Sequence, residues 1–187
     1  FGEYARAAAI MGAQPHSWTA QPEETFRINP AAVLQTIQRL APRLVFLCNP
    51  NNPTGTYLGV DTIVAWATAL PQTLFIVDEA YLPFASGAAS VIGTRCANLL
   101  VLRSMTKAHA LAGVRLGYAV GHPEVIRALA LVRPPWNVNA LAQAAGIAAL
   151  HDQAHVLHTL AQLARTKETL QQELHAAGLA VVPSCTH

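Results

Sequence analysis

Short, continuous apolar segments alternate along the chain with longer segments whose apolar residues recur at helical spacing. Continuous runs of this length are typical of strands that are covered on both faces, as in a parallel sheet. They occupy residues 44–47, 74–77, 99–102 and 116–120. The alternation predicts an α/β fold, a three-layer sandwich in which a mainly parallel sheet is flanked by helices.

Helices are predicted from start and stop signals as well as from spacing. Asn29-Pro30 is a good start, because Asn can accept from the amides of the next turn and Pro loses no bond at the first position. Helices are expected at residues 4–13, from residue 30 onward, and at 61–70, 123–131, 139–150 and 152–177. Two further strands are predicted at 14–19 and 180–182.

Composition excludes several classes of protein. The hydrophobic share is 52% and the charged share 12%, which excludes a disordered chain. The net charge of +2 is small, so no nucleic-acid or membrane partner is predicted. The apolar runs are all far shorter than the roughly 20 residues of a membrane span. The three cysteines are odd in number and far apart, which indicates a reducing compartment such as the cytoplasm.

Polar blocks follow three of the predicted strands at their carboxyl ends, where α/β proteins bind ligands. They are Asn49-Pro-Asn-Asn-Pro-Thr-Gly55, Val77-Asp-Glu-Ala-Tyr81 and Arg103-Ser-Met-Thr-Lys107, the last followed by Gly113-Val-Arg-Leu-Gly117. Together they supply an amide, a carboxylate, a phenol, a hydroxyl, a lysine and an arginine. This set matches one cofactor well, pyridoxal 5′-phosphate.

Each group has a chemical task for that cofactor. Lys107 can hold the aldehyde as an imine and then move protons on the substrate carbon. Asp78 can keep the ring nitrogen protonated, because a close opposite charge raises the pKa of that nitrogen. Strand alternation points the neighbouring Glu79 to the other side. Asn52 and Tyr81 can both hydrogen-bond the phenolic oxygen of the ring.

The cofactor phosphate needs donors in a fixed arrangement. Arg115 offers a planar fork that suits a phosphate, Ser104 adds a hydroxyl three residues before Lys107, and Thr106 is a further donor. Taken singly, each of these residues is more common at a surface, in a turn or at a helix cap. Their order and spacing make the set specific.

No metal site is predicted. His151, His155 and His158 lie at helical spacing and could share one helix face. Acidic or thiol ligands do not accompany them in the sequence, so a solvated helix face is the preferred interpretation.

The three blocks resemble those of the fold-type I, class I/II aminotransferases. The matching segments are Asn52-Pro-Thr-Gly55, Asp78-Glu-Ala-Tyr81 and Ser104-Met-Thr-Lys107, together with Arg115. Within that family the chain is similar to the branch of histidinol-phosphate aminotransferases and threonine-phosphate decarboxylases. The resemblance implies an internal aldimine on Lys107, with the other roles as above. It also implies an aromatic residue stacked on the cofactor ring at Phe1.

The resemblance also implies a domain organisation, because polypeptides of this family are about twice as long. Residues 1–150 would form the cofactor-binding large domain without its N-terminal part, and residues 151–187 a long connecting helix and the start of the small domain. Both chain ends look like cuts inside a larger protein, and the fragment alone is expected to be inactive. The family is dimeric, so a homodimer is expected.

Three functions remain open at this point. The preferred one is transamination between a small-molecule amino donor and a keto acceptor, with Lys107 as the proton shuttle, and Tyr81 favours it. The alternative is decarboxylation of threonine phosphate, as in cobalamin biosynthesis, because Pro135-Trp-Asn-Val-Asn139 resembles that group at least as well. A third possibility, of another class, is a cofactor-binding regulatory domain, which requires a DNA-binding region upstream.

Overall fold

The computed structural model describes residues 2–186 and contains one four-stranded mixed sheet. Phe1, the predicted stacking residue, lies outside the described residues. The strands are β1 (Leu44–Cys48), β2 (Leu74–Asp78), β3 (Leu99–Ser104) and β4 (Gly117–Gly121), in the order β1-β2-β3-β4. The first three are parallel, and β4 runs antiparallel to β3. The four strands predicted from continuous apolar runs are confirmed, with bounds that differ by one or two residues.

In the described part of the chain, six α-helices accompany the sheet, close to the predicted positions. They are α1 (Glu3–Ile10), α2 (Pro30–Leu40), α3 (Val60–Ala69), α4 (Pro123–Val132), α5 (Ala140–His151) and α6 (Gln153–Ala176). The Asn29 side chain accepts from two amides of the first turn of α2, as its position before Pro30 predicts. Asn139 caps α5 and Asp152 caps α6 in the same way.

Two strand predictions are wrong. Residues 14–19 and 180–182 have no regular secondary structure and are largely exposed. A strand is stabilised by pairing with a neighbouring strand, and neither segment pairs with one in the described part of the chain. The C-terminal segment instead forms an isolated antiparallel bridge between Thr186 and Ala85.

The core lies around β2, which has a strand on each side. Phe75 and Val77 are fully buried on one face of the sheet and pack with residues of α2 and α3, including Ile63 and Trp66. Alternate strand residues point to the opposite face, where Ile76 and Leu100 are also buried. On α5, Gly146 lies against Leu116 and Met105. The sheet is therefore flanked by helices, as predicted.

The joint between α5 and α6 is Asp152, one residue beyond the predicted start of the second domain. That domain division stays a prediction. Within residues 2–186, no helix combines the length and the apolar character needed to cross a membrane.

Candidate functional site

The three polar blocks meet at one edge of the sheet. Cys48, Asp78 and Ser104 are the last residues of the three parallel strands, so the segments that follow all leave from the same side. Because β4 runs in the opposite direction, its first residue, Gly117, pairs with Ser104 at that edge. The segment that carries Arg115 therefore arrives beside the other blocks.

Asp78 is held by a hydrogen-bond donor on each carboxylate oxygen. The backbone amide of Ala80 donates to Oδ1 at 3.0 Å, and the hydroxyl of Tyr4 donates to Oδ2 at 2.6 Å. Tyr4 is not among the predicted site residues, because its sequence context indicates only the start of a helix. Tyr4 lies 74 residues before Asp78, so no local spacing signal could have linked the two residues.

Glu79 points away from this edge, as strand alternation predicts. It is 1% exposed, and its carboxylate accepts hydrogen bonds from the Ser90 hydroxyl at 2.6 Å and the Val91 amide at 2.9 Å. Arg103 Nε lies 3.1 Å from Glu79 Oε2 without the geometry of a directed hydrogen bond, so this contact is an ion pair. Glu79 thus anchors the segment after β2 to β3.

Asn52, Tyr81 and Lys107 belong to the three different polar blocks, and their side chains come together. Asn52 Nδ2 donates to the Tyr81 hydroxyl at 2.9 Å. Lys107 Nζ lies over the Tyr81 ring, 5.4 Å from its centroid, at the distance of a cation–π contact. Lys107 is exposed, so its amine is accessible to a small molecule. The phenol thus has an amide and an amine as close neighbours.

Ser104 and Thr106 form a compact hydroxyl pair. Their oxygens are 2.7 Å apart, and the Thr106 amide donates to Ser104 Oγ at 3.3 Å. Arg115 is exposed and has a left-handed backbone conformation, with φ of 58°. Its Nη1 donates to the carbonyl of Ala112 at 2.9 Å, within its own loop. A joint action of these three residues on a phosphate stays a prediction.

The loop after β1 is covered by the C-terminal segment. Gly55 closes the loop by donating to the Asn51 carbonyl at 2.7 Å, and its own carbonyl accepts from the Cys185 amide at 3.0 Å. Lys167 of α6 donates to the carbonyls of Ser184 and Thr186 at 2.8 and 2.6 Å. The loop that carries Asn52 is therefore tied to α6 through residues 184–186.

Burial raises the pKa of two titratable groups near Asp78. The pKa of Tyr4 is raised first by burial and then by its hydrogen bond to Asp78. The pKa of the Cys48 thiol is also raised, mainly by burial. The Cys48 thiol donates to the Pro50 carbonyl at 3.4 Å. Both groups therefore remain protonated donors near neutral pH.

The chain is similar to known proteins over its whole length. A sequence model of the family described as "Aminotransferase class I and II" matches residues 1–187. Histidinol-phosphate aminotransferase of Moorella thermoacetica is 38% identical over 190 residues, which cover 98% of this chain and 48% of that protein.

Two solved structures are informative. Histidinol-phosphate aminotransferase from Sinorhizobium meliloti, in complex with pyridoxal-5′-phosphate, superposes with a TM-score of 0.90 at 29% identity, covering 100% of this chain and 51% of that chain. L-threonine-O-3-phosphate decarboxylase from Porphyromonas gingivalis superposes with a TM-score of 0.77 at 26% identity, covering 100% of this chain and 55% of that chain.

The predicted fold class and the predicted family resemblance are both confirmed. The chain spans about half the length of the curated relatives that it matches. With the family's sequence pattern running from residue 1 to residue 187 and the three polar blocks meeting at one sheet edge, this chain belongs to the class I and II aminotransferases.

Proposed function

We propose that this chain is the cofactor-binding part of a pyridoxal-phosphate-dependent transaminase of the histidinol-phosphate aminotransferase type. The observation that carries the proposal is the meeting of Lys107, Asp78 and the Asn52–Tyr81 pair at one edge of the sheet. The 38% identity to the Moorella thermoacetica enzyme supports the same reaction. In this proposal residues 1–150 form the cofactor-binding domain, and residues 151–187 lead into a second domain.

The donor set fits pyridoxal 5′-phosphate. Lys107 presents an accessible amine, the group that an aldehyde requires. Asp78 presents a carboxylate whose orientation two donors fix, which suits a protonated ring nitrogen. The hydroxyl pair of Ser104 and Thr106 would bind the phosphate together with Arg115.

The Asn52–Tyr81 pair would bind the phenolic oxygen of the ring, with the Tyr81 hydroxyl donating outward while it accepts from Asn52. Phe1 would stack on the ring. When bound, the cofactor supplies an electron sink for the substrate carbon. The residues of this chain then divide the remaining work. Asp78 stabilises positive charge on the ring nitrogen, and the Lys107 amine takes a proton from one substrate carbon and returns it elsewhere.

The position of Lys107 suits that proton transfer. Its Nζ lies over the face of Tyr81, and contact with a ring face allows the neutral amine to move without losing a directed hydrogen bond. The proposal has two small-molecule partners. Histidinol phosphate is the amino donor, and the other partner is a keto acceptor. Substrate contacts decide which bond to the reacting carbon is aligned for cleavage, and the cofactor residues alone do not.

Decarboxylation of threonine phosphate is the second candidate. The likeness to the Porphyromonas gingivalis decarboxylase covers the whole chain and favours it. It ranks below transamination because the superposition has a TM-score of 0.77, against 0.90 for the Sinorhizobium meliloti aminotransferase.

We extend the proposal to a homodimer in the cytoplasm. Large apolar side chains are exposed on α4, on α5 and between them, namely Leu131, Val132, Trp136, Leu141 and Ile147. An exposed apolar surface of this kind is typical of protein–protein contacts. The three cysteines are free thiols, which suits a reducing compartment. Light scattering of the protein expressed from its complete gene tests the dimer, and a monomeric mass would contradict it.

Product analysis tests the reaction. The protein expressed from the complete gene is incubated with histidinol phosphate and a 2-oxo acid, and separately with threonine phosphate. Transfer of the amino group to the 2-oxo acid is the expected result, while release of carbon dioxide from threonine phosphate would favour the second candidate. The Lys107→Ala variant serves as the control for uncatalysed reaction. No product from either substrate, together with no cofactor binding, would reject both enzymatic proposals.

A further inference from the structure

Tyr4 links the N-terminal helix to the carboxylate at the end of β2. Its ring stacks on Phe46 of β1, with centroids 5.0 Å apart and planes 12° from parallel. Its hydroxyl reaches past β1 and donates to Asp78 Oδ2 at 2.6 Å. The stack restrains the ring, and the restrained ring aims the hydroxyl at the carboxylate.

The hydrogen bond is of the short, charge-assisted type that a hydroxyl makes to a carboxylate. Burial and the adjacent Asp78 both raise the pKa of Tyr4, so the phenol keeps its proton and remains a donor. The Cys48 thiol is a further titratable group beside this phenol. Asp78 Oδ1 is meanwhile fixed by the amide of Ala80. The carboxylate is thus restrained at both oxygens.

We propose that Tyr4 is a positioning residue that sets the orientation of Asp78 toward the cofactor ring nitrogen, with Phe46 holding Tyr4 in place. The inference rests on the proposed function, because it assumes that Asp78 faces that nitrogen. Loss of the Tyr4 hydroxyl leaves Oδ2 without this donor and lets the carboxylate rotate about its terminal torsion. The ring nitrogen is then less well protonated.

A spectroscopic quantity reports this loss directly. Bound pyridoxal phosphate has a visible absorbance band that titrates with pH as the lysine–cofactor link gains or loses a proton. Positive charge on the ring disfavours a second positive charge nearby and so lowers the pKa of that link. A ring with less positive charge therefore titrates at higher pH.

The test compares Tyr4→Phe with Tyr57→Phe in the protein expressed from its complete gene. Tyr4→Phe keeps the stacked ring and removes only the hydroxyl. Tyr57→Phe is the matched control, because its hydroxyl bonds the backbone of Ala89 and not Asp78. We expect the titration midpoint to rise in Tyr4→Phe and to stay unchanged in Tyr57→Phe. The kcat of Tyr4→Phe should fall about tenfold, with its KM nearly unchanged.

A second variant keeps the test decisive if Tyr4→Phe does not fold. Phe46→Leu keeps the Tyr4 hydroxyl and removes the ring that holds it, so its midpoint is also expected to rise, by less than in Tyr4→Phe. An unchanged midpoint in Tyr4→Phe, or in Phe46→Leu where Tyr4→Phe does not fold, would overturn the proposal. An equal rise in Tyr57→Phe would overturn it too, because the shift would then follow from the loss of any hydrogen-bonded phenol.

The wild-type protein separates this inference from the proposed function. A visible band that forms with pyridoxal phosphate and disappears in Lys107→Ala supports the cofactor site. If that band forms and Tyr4→Phe titrates like the wild type, only the proposed role of Tyr4 is rejected. If no band forms in the wild type, the proposed function is rejected, and this inference with it.

Discussion

Asn52 and Tyr81 belong to different blocks, 29 residues apart in sequence, and their side chains meet at 2.9 Å. Because the amide donates to the phenol, the hydroxyl proton of Tyr81 remains available to a third group. Lys107 lies over the same ring, 5.4 Å from its centroid. The segments that follow β1, β2 and β3 thus build one small polar surface.

The pairing predicts energetic coupling between Asn52 and Tyr81 in cofactor binding. We expect Asn52→Ala and Tyr81→Phe each to weaken binding, and the double variant to lose less than the sum. The coupling energy should be about 1 kcal/mol, since the two side chains share one hydrogen bond. Affinities for pyridoxal phosphate from equilibrium titration give the cycle. Strictly additive losses would show that the two groups act separately on the cofactor.

Lys107 is expected to be the residue that binds the cofactor aldehyde covalently. Reduction of the bound cofactor with borohydride, followed by peptide mass spectrometry, should place the label on Lys107 and nowhere else. Lys107→Ala should abolish the label. The matched control is Lys167→Ala, whose ammonium bonds the carbonyls of residues 184 and 186 and which should keep the label on Lys107. A label on any other peptide would contradict the assignment.

The sequence predicted that the three polar blocks converge, because each block follows the end of a strand. A continuous apolar run marks each of the three parallel strands, and the polar residues that follow it lie at the edge where ligands bind. The same reasoning separated Asp78 from Glu79, and the structure confirms that they point to opposite sides. Local pattern was sufficient for these residues.

Tyr4 and the strand predictions at 14–19 and 180–182 mark the limit of that approach. Tyr4 depends on a contact across 74 residues, which no periodicity reveals. A strand depends on a neighbour with free hydrogen-bonding groups, and the sequence alone does not name that neighbour. The antiparallel direction of β4, which brings Arg115 to the site, is tertiary information of the same kind.

Gly55 is predicted to be indispensable to the loop that carries Asn52. Its φ of +66° favours glycine, and an added Cβ would overlap the side chain of Ser184. We expect Gly55→Ala to lower the free energy of unfolding by about 3 kcal/mol, from backbone strain and overpacking together. Urea unfolding measures it.

The matched control for Gly55→Ala is Gly87→Ala. Gly87 has a φ of +75°, but an added Cβ meets nothing within 4 Å. Gly87→Ala should therefore lower the free energy of unfolding only through backbone strain, by about 1 kcal/mol. Equal losses in the two variants would show that the segment carrying Ser184 moves aside freely.

The buried carboxylate of Glu79 is predicted to stabilise the fold rather than to act in the reaction. Glu79→Ala would leave Arg103 Nε buried without its ion pair and the Val91 amide without its acceptor. We expect a loss of about 3–5 kcal/mol in the free energy of unfolding. Glu79→Gln keeps the shape and one acceptor and should lose less. Equal losses in both variants would show that the charge itself is essential.

Alkaline pH is predicted to destabilise the folded chain through Tyr4 and Cys48. Folding raises the pKa of both groups above their usual values of 10.0 and 9.0. Below those values both groups are protonated whether the chain is folded or unfolded, so their contribution is fully present. At higher pH the unfolded chain releases protons that the folded chain retains, and the free energy of unfolding falls.

The slope identifies the groups responsible. Each contributes at most about 1.4 kcal/mol per pH unit, and less to the extent that water reaches these partly buried side chains. Urea unfolding of the wild type should show the loss beginning above pH 9 and steepening above pH 10. Cys48→Ala should reduce the first part, to which Cys185 also contributes because burial raises its pKa too, and Tyr4→Phe should remove the second. A Tyr4→Phe variant with the wild-type slope above pH 10 would mean that the phenol loses its proton equally easily in the folded and unfolded chains.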